Sequence, residues 1–155
     1  MSTSKTDLPR RHSVLHLAGF FAVLLAGLLF VALDAATVLA QAGKPHFEMA
    51  LTTDNPDTRE EKDVFGPATP KVYVIYMVAD LPAATKVRFV WLIEKAEGFQ
   101  ENSTISESSK TFGAGSFMGK VYYPKPAKGW PAGAYRVEMY IGERLDKTLK
   151  FRVTK

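Results

Sequence analysis

The chain reads as two regions with different periods. From residue 17 to residue 33 the positions are uncharged and almost continuously apolar, and after residue 43 the pattern breaks into short stretches with a period of two. In the second region His46 to Thr53 alternates and predicts a half-buried strand with Phe47, Met49 and Leu51 on one side. Asp54 to Pro70 is proline-containing and charged, which predicts a long polar loop. Lys71 to Ala79 is dense in β-branched and aromatic residues (Val72, Tyr73, Val74, Ile75, Tyr76, Val78), the pattern of a central strand buried on both faces. Leu81-Pro82 ends it. Val87, Phe89, Trp91 and Ile93 define the inward face of the next strand, closed by Gly98. Between Asn102 and Gly115 only Ile105 and Phe112 are apolar among serines and glycines, so a short edge strand and a flexible loop are expected. Ser116 to Tyr123 is a further strand stopped by Pro124 and Pro126, and Ala134 to Ile141 with Leu145 to Thr154 forms a closing pair. About seven strands at turn-punctuated spacing, with no helical period after residue 43, predict an all-β antiparallel sandwich.

The last pair also predicts its own register. A plain two-residue turn at Gly142-Glu143 would put Leu149, Phe151 and Val153 on the face of Arg136 and Glu138, which a one-sided core cannot accept. A loop of Gly142, Glu143 and Arg144 pairs Ile141 with Leu145, Val137 with Leu149 and Tyr135 with Phe151. A bulge of the same parity does equally well.

The N-terminal region has the order of an export signal: Lys5, Arg10 and Arg11, then the apolar run, then small residues to Ala42. Cleavage after Ala40 starts the mature chain at Gln41, and cleavage after Ala42 starts it at Gly43. Alternatively residues 14–33 remain as a membrane anchor, since that length can cross a hydrocarbon core. The expected organisation is therefore residues 1–40 as signal or anchor and 41–155 as one domain. In either case the domain is delivered outside the cytoplasm, to the periplasm or beyond, free or tethered to the inner membrane by residues 14–33. Arg10-Arg11 is ordinary signal charge, because His12, Ser13 and Val14 match a twin-arginine pattern poorly.

Composition narrows the chemistry. The chain has no cysteine, which removes lipidation at cysteine, disulfides, thiol nucleophiles and cysteine metal sites. A net charge of +4, partly carried by the N-terminal segment, is too small for nucleic-acid binding. Beyond residue 40 the one imidazole is His46, and with scattered methionines it makes no metal-ligand set. Glu60-Glu61 and Glu94-Glu97 show no sign of the burial or coupling that an acid/base pair needs. Asn102-Ser103-Thr104 has the form of a glycosylation sequon, a chance match in a chain with a bacterial-type signal. No catalytic residue, metal or cofactor is expected, and the domain is not read as an enzyme.

Pro131-Ala132-Gly133-Ala134-Tyr135-Arg136-Val137 resembles the tyrosine-corner segment of immunoglobulin-like domains, and Trp91 stands where those domains place a core tryptophan. The phrase Gly129-Trp130-Pro131-x-Gly133-x-Tyr135-x-Val137 is similar to the closing hairpin of small bacterial exported Ig-like domains. The resemblance spans Lys71 onward and implies an Ig-like β-sandwich of about seven strands, with no activity attached.

Two binding surfaces are legible. Tyr123 and Trp130 bracket a proline-stiffened basic loop holding Lys125 and Lys128, either a recognition surface or, for Trp130, a cap on the core. Asn102 to Lys110, around Ile105, is an edge strand, either blunted by Glu101, Glu107 and Lys110 or open to strand addition by a partner. The expected function is a non-catalytic exported interaction module, an accessory or structural protein of the bacterial cell envelope with a protein partner. The alternatives are a module binding envelope polysaccharide through exposed aromatics, and a single-pass accessory subunit of a membrane complex.

Overall fold

The structure is a computed structural model that describes residues 43–155. The signal or anchor expected over residues 1–40 lies outside the described residues. Eight strands follow in order: β1 (His46–Thr53), β2 (Val64–Phe65), β3 (Lys71–Leu81), β4 (Thr85–Ala96), β5 (Ser103–Phe112), β6 (Gly115–Pro124), β7 (Gly133–Ile141) and β8 (Arg144–Val153). They form a three-stranded sheet in the order β1-β3-β6 and a five-stranded sheet in the order β2-β8-β7-β4-β5. Gly43–Lys155 is one compact unit, and the fold is an all-β sandwich of two sheets.

Alternation decides which residues fill the space between the sheets. Val72, Val74, Tyr76 and Val78 of β3 meet Val87, Phe89, Trp91 and Ile93 of β4, with Tyr135, Val137, Met139, Phe151 and Val153 beside them, all buried. Phe47 and Phe89 both pack on Tyr76, edge-on and tilted respectively. Trp91 contacts Phe151 edge-on, and Tyr135 stacks on Phe151 with ring centres 5.1 Å apart. Such pairs add to burial by about 1 kcal/mol each.

The two features behind the resemblance are both present. Trp91 is buried on β4, opposite Val137 of β7. The Tyr135 hydroxyl donates to the Pro131 carbonyl at 2.6 Å, pinning the loop before β7 over the end of the core. Only glycine fits beside it, since a Cβ on Gly133 would stand 2.4 Å from the Lys95 carbonyl oxygen.

Several expectations are corrected. Phe47, Met49 and Leu51 do not share a face. A bulge between Phe47 and Met49 turns Phe47, Ala50 and Thr52 toward the core positions Val78, Tyr76 and Val74, and leaves Met49 and Leu51 opposite Met77 and Ile75 on the outer face. The loop expected over residues 54–70 contains β2, which runs parallel to β8. Phe65 is buried against Phe151, an anchor that two apolar residues among charges do not advertise. The expected flexible loop before Gly115 is instead the continuation of β5, paired with β4 from Ser103 to Phe112.

The closing hairpin keeps the predicted parity by a bulge. Val137 pairs with Leu149 and Tyr135 with Phe151, while Ile141 pairs with Arg144 and not with Leu145. The register shifts between Met139 and Tyr140, so Asp146 is the extra residue. Its side chain is used at once: Oδ2 accepts from the Phe47 N–H at 2.7 Å, and Oδ1 accepts from Arg144, which also donates to the Pro45 carbonyl.

Candidate binding cleft on the open seam

The sandwich has two long sides. On one, β1 faces β8, and the segment between β1 and β2 bridges them: the Lys62 N–H donates to the Thr52 carbonyl, and the N–H groups of Arg152 and Thr154 donate to Asp63 and Phe65. On the other, β5 and β6 are the last strands of their sheets and are not paired with each other. Phe112 and Phe117 meet at the turn end of this side, 5.1 Å between ring centres. At its far end it opens into a cleft of about 410 Å³.

The cleft is lined by Ile93, Ile105, Tyr123, Trp130 and Tyr135, with Phe99 and Lys128 at its mouth. Each wall has a local cause. The turn after β4 is held by Gly98 at positive φ and by the Phe99 N–H donating to the Ala96 carbonyl. That turn carries Phe99 outward at 50% exposure, a large apolar side chain placed in water beside an apolar hollow. The opposite wall is the loop between β6 and β7. Lys125 N–H donates to Pro70, Gly129 N–H to Pro126 and Trp130 N–H to Pro67, so the prolines and three backbone bonds hold it without regular structure. Ile105 enters from β5 because the β4–β5 register shifts between Trp91 and Leu92 and leaves Ile105 unpaired. A bulge of this kind re-aims one side chain.

Ile105, Tyr123, Lys128 and Trp130, chosen from the sequence as two separate surfaces, thus line one cleft. Lys125 does not line it. Of the two readings of Trp130 the cap on the core holds: it is 3% exposed, packs edge-on against Tyr123, Tyr135 and Phe151, and donates its indole N–H to the Thr69 carbonyl at 2.8 Å. It forms the floor. Phe99, missed by sequence reasoning because it stands alone in a polar turn, is the exposed aromatic at the mouth. Tyr122 is also exposed, but it lies on the outer face of the three-stranded sheet, tilted against Tyr73 with Lys71 above it.

Burial pushes the Tyr135 hydroxyl up to about 12, with Tyr123 adding to the effect, so it stays a neutral hydrogen-bond donor at any physiological pH. Elsewhere His46 is exposed, its Nδ1 2.9 Å from the Lys44 carbonyl. Among the described residues no three of His, Asp and Glu converge on a point.

No protein-family model matches this chain, and no curated protein sequence matches it either. Solved structures do. An alkylpurine DNA glycosylase of Pseudomonas fluorescens, bound to DNA containing an abasic site analogue, is similar with a TM-score of 0.52 and 12% identity over 73% of this chain. The chain spans 31% of the glycosylase, so the likeness speaks to fold alone. An immunoglobulin-like protein of Pseudomonas aeruginosa aligns with a TM-score of 0.49 and 10% identity, over 74% of this chain and 99% of its own. A β-glucosidase of Erythrobacter marinus aligns with a TM-score of 0.49 and 9% identity, over 72% of this chain and 15% of its own.

Proposed function

We propose that residues 41–155 form an immunoglobulin-like, non-catalytic module that binds a protein partner through the open seam, as an exported accessory or structural component of the bacterial cell envelope. The observation that supports it most is the convergence of Ile105, Tyr123, Lys128 and Phe99 on one apolar cleft between two unpaired strand edges. Aromatic anchors on a rigid frame next to a free edge are the parts that peptide-binding sheets use. The polysaccharide reading loses its main anchor with the burial of Trp130. Export rests on the N-terminal sequence pattern alone.

Two measurements test this reading. A library of displayed peptides screened against the purified chain should enrich sequences with a large apolar residue, and Phe99→Asp should abolish their retention with an unchanged melting temperature. Retention on an envelope polysaccharide column with no peptide enrichment would reverse the ranking. The N-terminal residue of the native protein tests export: Gln41 or Gly43 in the soluble fraction indicates a free module, and an intact N-terminus in membranes a tethered one.

A further inference from the structure

A second hollow lies further along the same seam, and it gives the seam a polarity. Its volume is about 310 Å³, and Ser108, Ser109, Lys110 and Lys120 stand around it over Tyr76 and Gly119. The register explains why polar groups point there. Ser106, Ser108 and Lys110 pair with Trp91, Phe89 and Val87, so they occupy the core-facing side of β5. The three-stranded sheet ends at β6, and no strand among the described residues lies opposite them. On the other wall Gly119 pairs with Tyr76, and a Cβ there would meet the Tyr76 hydroxyl at 2.5 Å. The tyrosine therefore lies against bare β6 backbone.

The charged residues around this hollow are both lysines: Lys110 on the core-facing side of β5, and Lys120, which pairs with Ile75 and so reaches the hollow from the outer face of β6, where Asp57 and Arg59 stand beside it. Lys110 and Lys120 have no acidic partner among the described residues. Glu107, the acid nearest in sequence on β5, lies 3.6 Å from Arg88 across the strand pair. Lys110 instead extends over the Phe112 ring at 5.1 Å. Along β5, Ile105 in the apolar cleft and Ser108 to Lys110 in this hollow are separated by roughly 10–16 Å at the rise of a β-strand.

We propose that the seam takes an extended acidic polypeptide as a fourth strand on β6, with a large apolar side chain in the cleft, one carboxylate on the inner face against Lys110 and the next on the outer face against Lys120. The proposal rests on the binding reading above and names the partner's chemistry. A polypeptide suits the site better than a sugar polymer, because the free edge of β6 presents backbone donors and acceptors at the repeat of another strand. β6 is the better acceptor of the two edges, since Glu107 and Lys110 blunt β5.

The test uses the full chain and a fluorescent probe peptide of about eight residues, alternating Thr and Val, with one Phe near an end and two adjacent Asp residues roughly four positions away. Saturable binding is expected, weakened by about tenfold or more when the Asp residues are replaced by Lys, and lost when alternate probe amides are N-methylated. Lys120→Glu, alone and with Lys110→Glu, should weaken the acidic probe by about tenfold and favour the lysine probe. Equal binding of acidic and basic probes overturns the proposal. So does occupation of the seam by an oligogalacturonate or by a second copy of the chain, detected by sedimentation. If Phe99→Asp removes binding while the lysine variants bind as the parent does, the cleft stands and the acidic strand falls. If neither acts, both fall.

Discussion

The two long sides of the sandwich are built from the same kind of strand and finished in opposite ways. Between β1 and β8 the sheets are sewn together. Backbone bonds from Lys62, Arg152 and Thr154 run along one end, and the Asp146 carboxylate takes the Phe47 N–H at the other. Between β5 and β6 the Phe112–Phe117 pair clasps the turn end, and beyond it lies a groove walled by Ile105, Ser108 and Lys110 of β5 and by Gly119, Lys120 and Tyr123 of β6. The number of strands makes the difference. Five strands face three, so one edge must project past its cover, and it projects where the sequence turns to serine. An edge that is covered contributes to stability, whereas one left open is available to a partner.

Substitutions should separate the two sides. The largest loss is expected from Phe47→Ala on the closed side, about 3–5 kcal/mol for a buried phenylalanine, read as a lower midpoint in a urea melt. If the loss were no greater than that of Phe99→Ala, the closed side would not be the stronger one.

Asp146→Ala should cost about 1–3 kcal/mol, because it leaves the Phe47 N–H without a partner. Burial alone would raise the Asp146 carboxyl, but the bonds from Phe47 and Arg144 and the nearby positive charge outweigh it and hold it below its ordinary value. A carboxyl lowered by folding stabilises above the unfolded value, about pH 4, and the contribution fades as pH falls through the lower folded value. The gap between parent and variant should therefore be full at neutral pH and shrink in acid melts. A gap unchanged below pH 3 would mean that the carboxylate is not the clasp.

Tyr135→Phe should cost about 1 kcal/mol, the scale of one buried hydrogen bond. Its hydroxyl is raised to about 12 in the fold, so its contribution is complete below the unfolded value, about pH 10, and is lost as pH rises toward 12. Removal of the hydroxyl should flatten that part of the alkaline melting curve, and equal curves for the two proteins would remove the corner from the account.

The smallest effect belongs to the open side. Phe99→Ser, at a half-exposed turn residue, should change stability by less than about 0.5 kcal/mol while abolishing probe binding. A large loss of stability would show Phe99 to be part of the core.

Much of this was legible in residue order. Alternation identified the inward face of β4, the parity of Val137 with Leu149 followed from the refusal of a core to accept Arg136, and the tyrosine corner followed from the resemblance carried by Gly133 and Tyr135. These are local matters of period, turn chemistry and sterics, which a single strand or hairpin settles for itself. The bulges at Phe47–Met49 and at Ile105, the anchoring of Phe65 on β8 and the choice between the two readings of Trp130 depend on what another strand offers across the sheet or the sandwich, and no local pattern encodes that. The cleft belongs to the same class. Tyr123, Lys128 and Ile105 stood out by type, but Phe99 and the meeting of all four were decided by the two sheets ending at different strands, because only packing determines which edge is left without a neighbour.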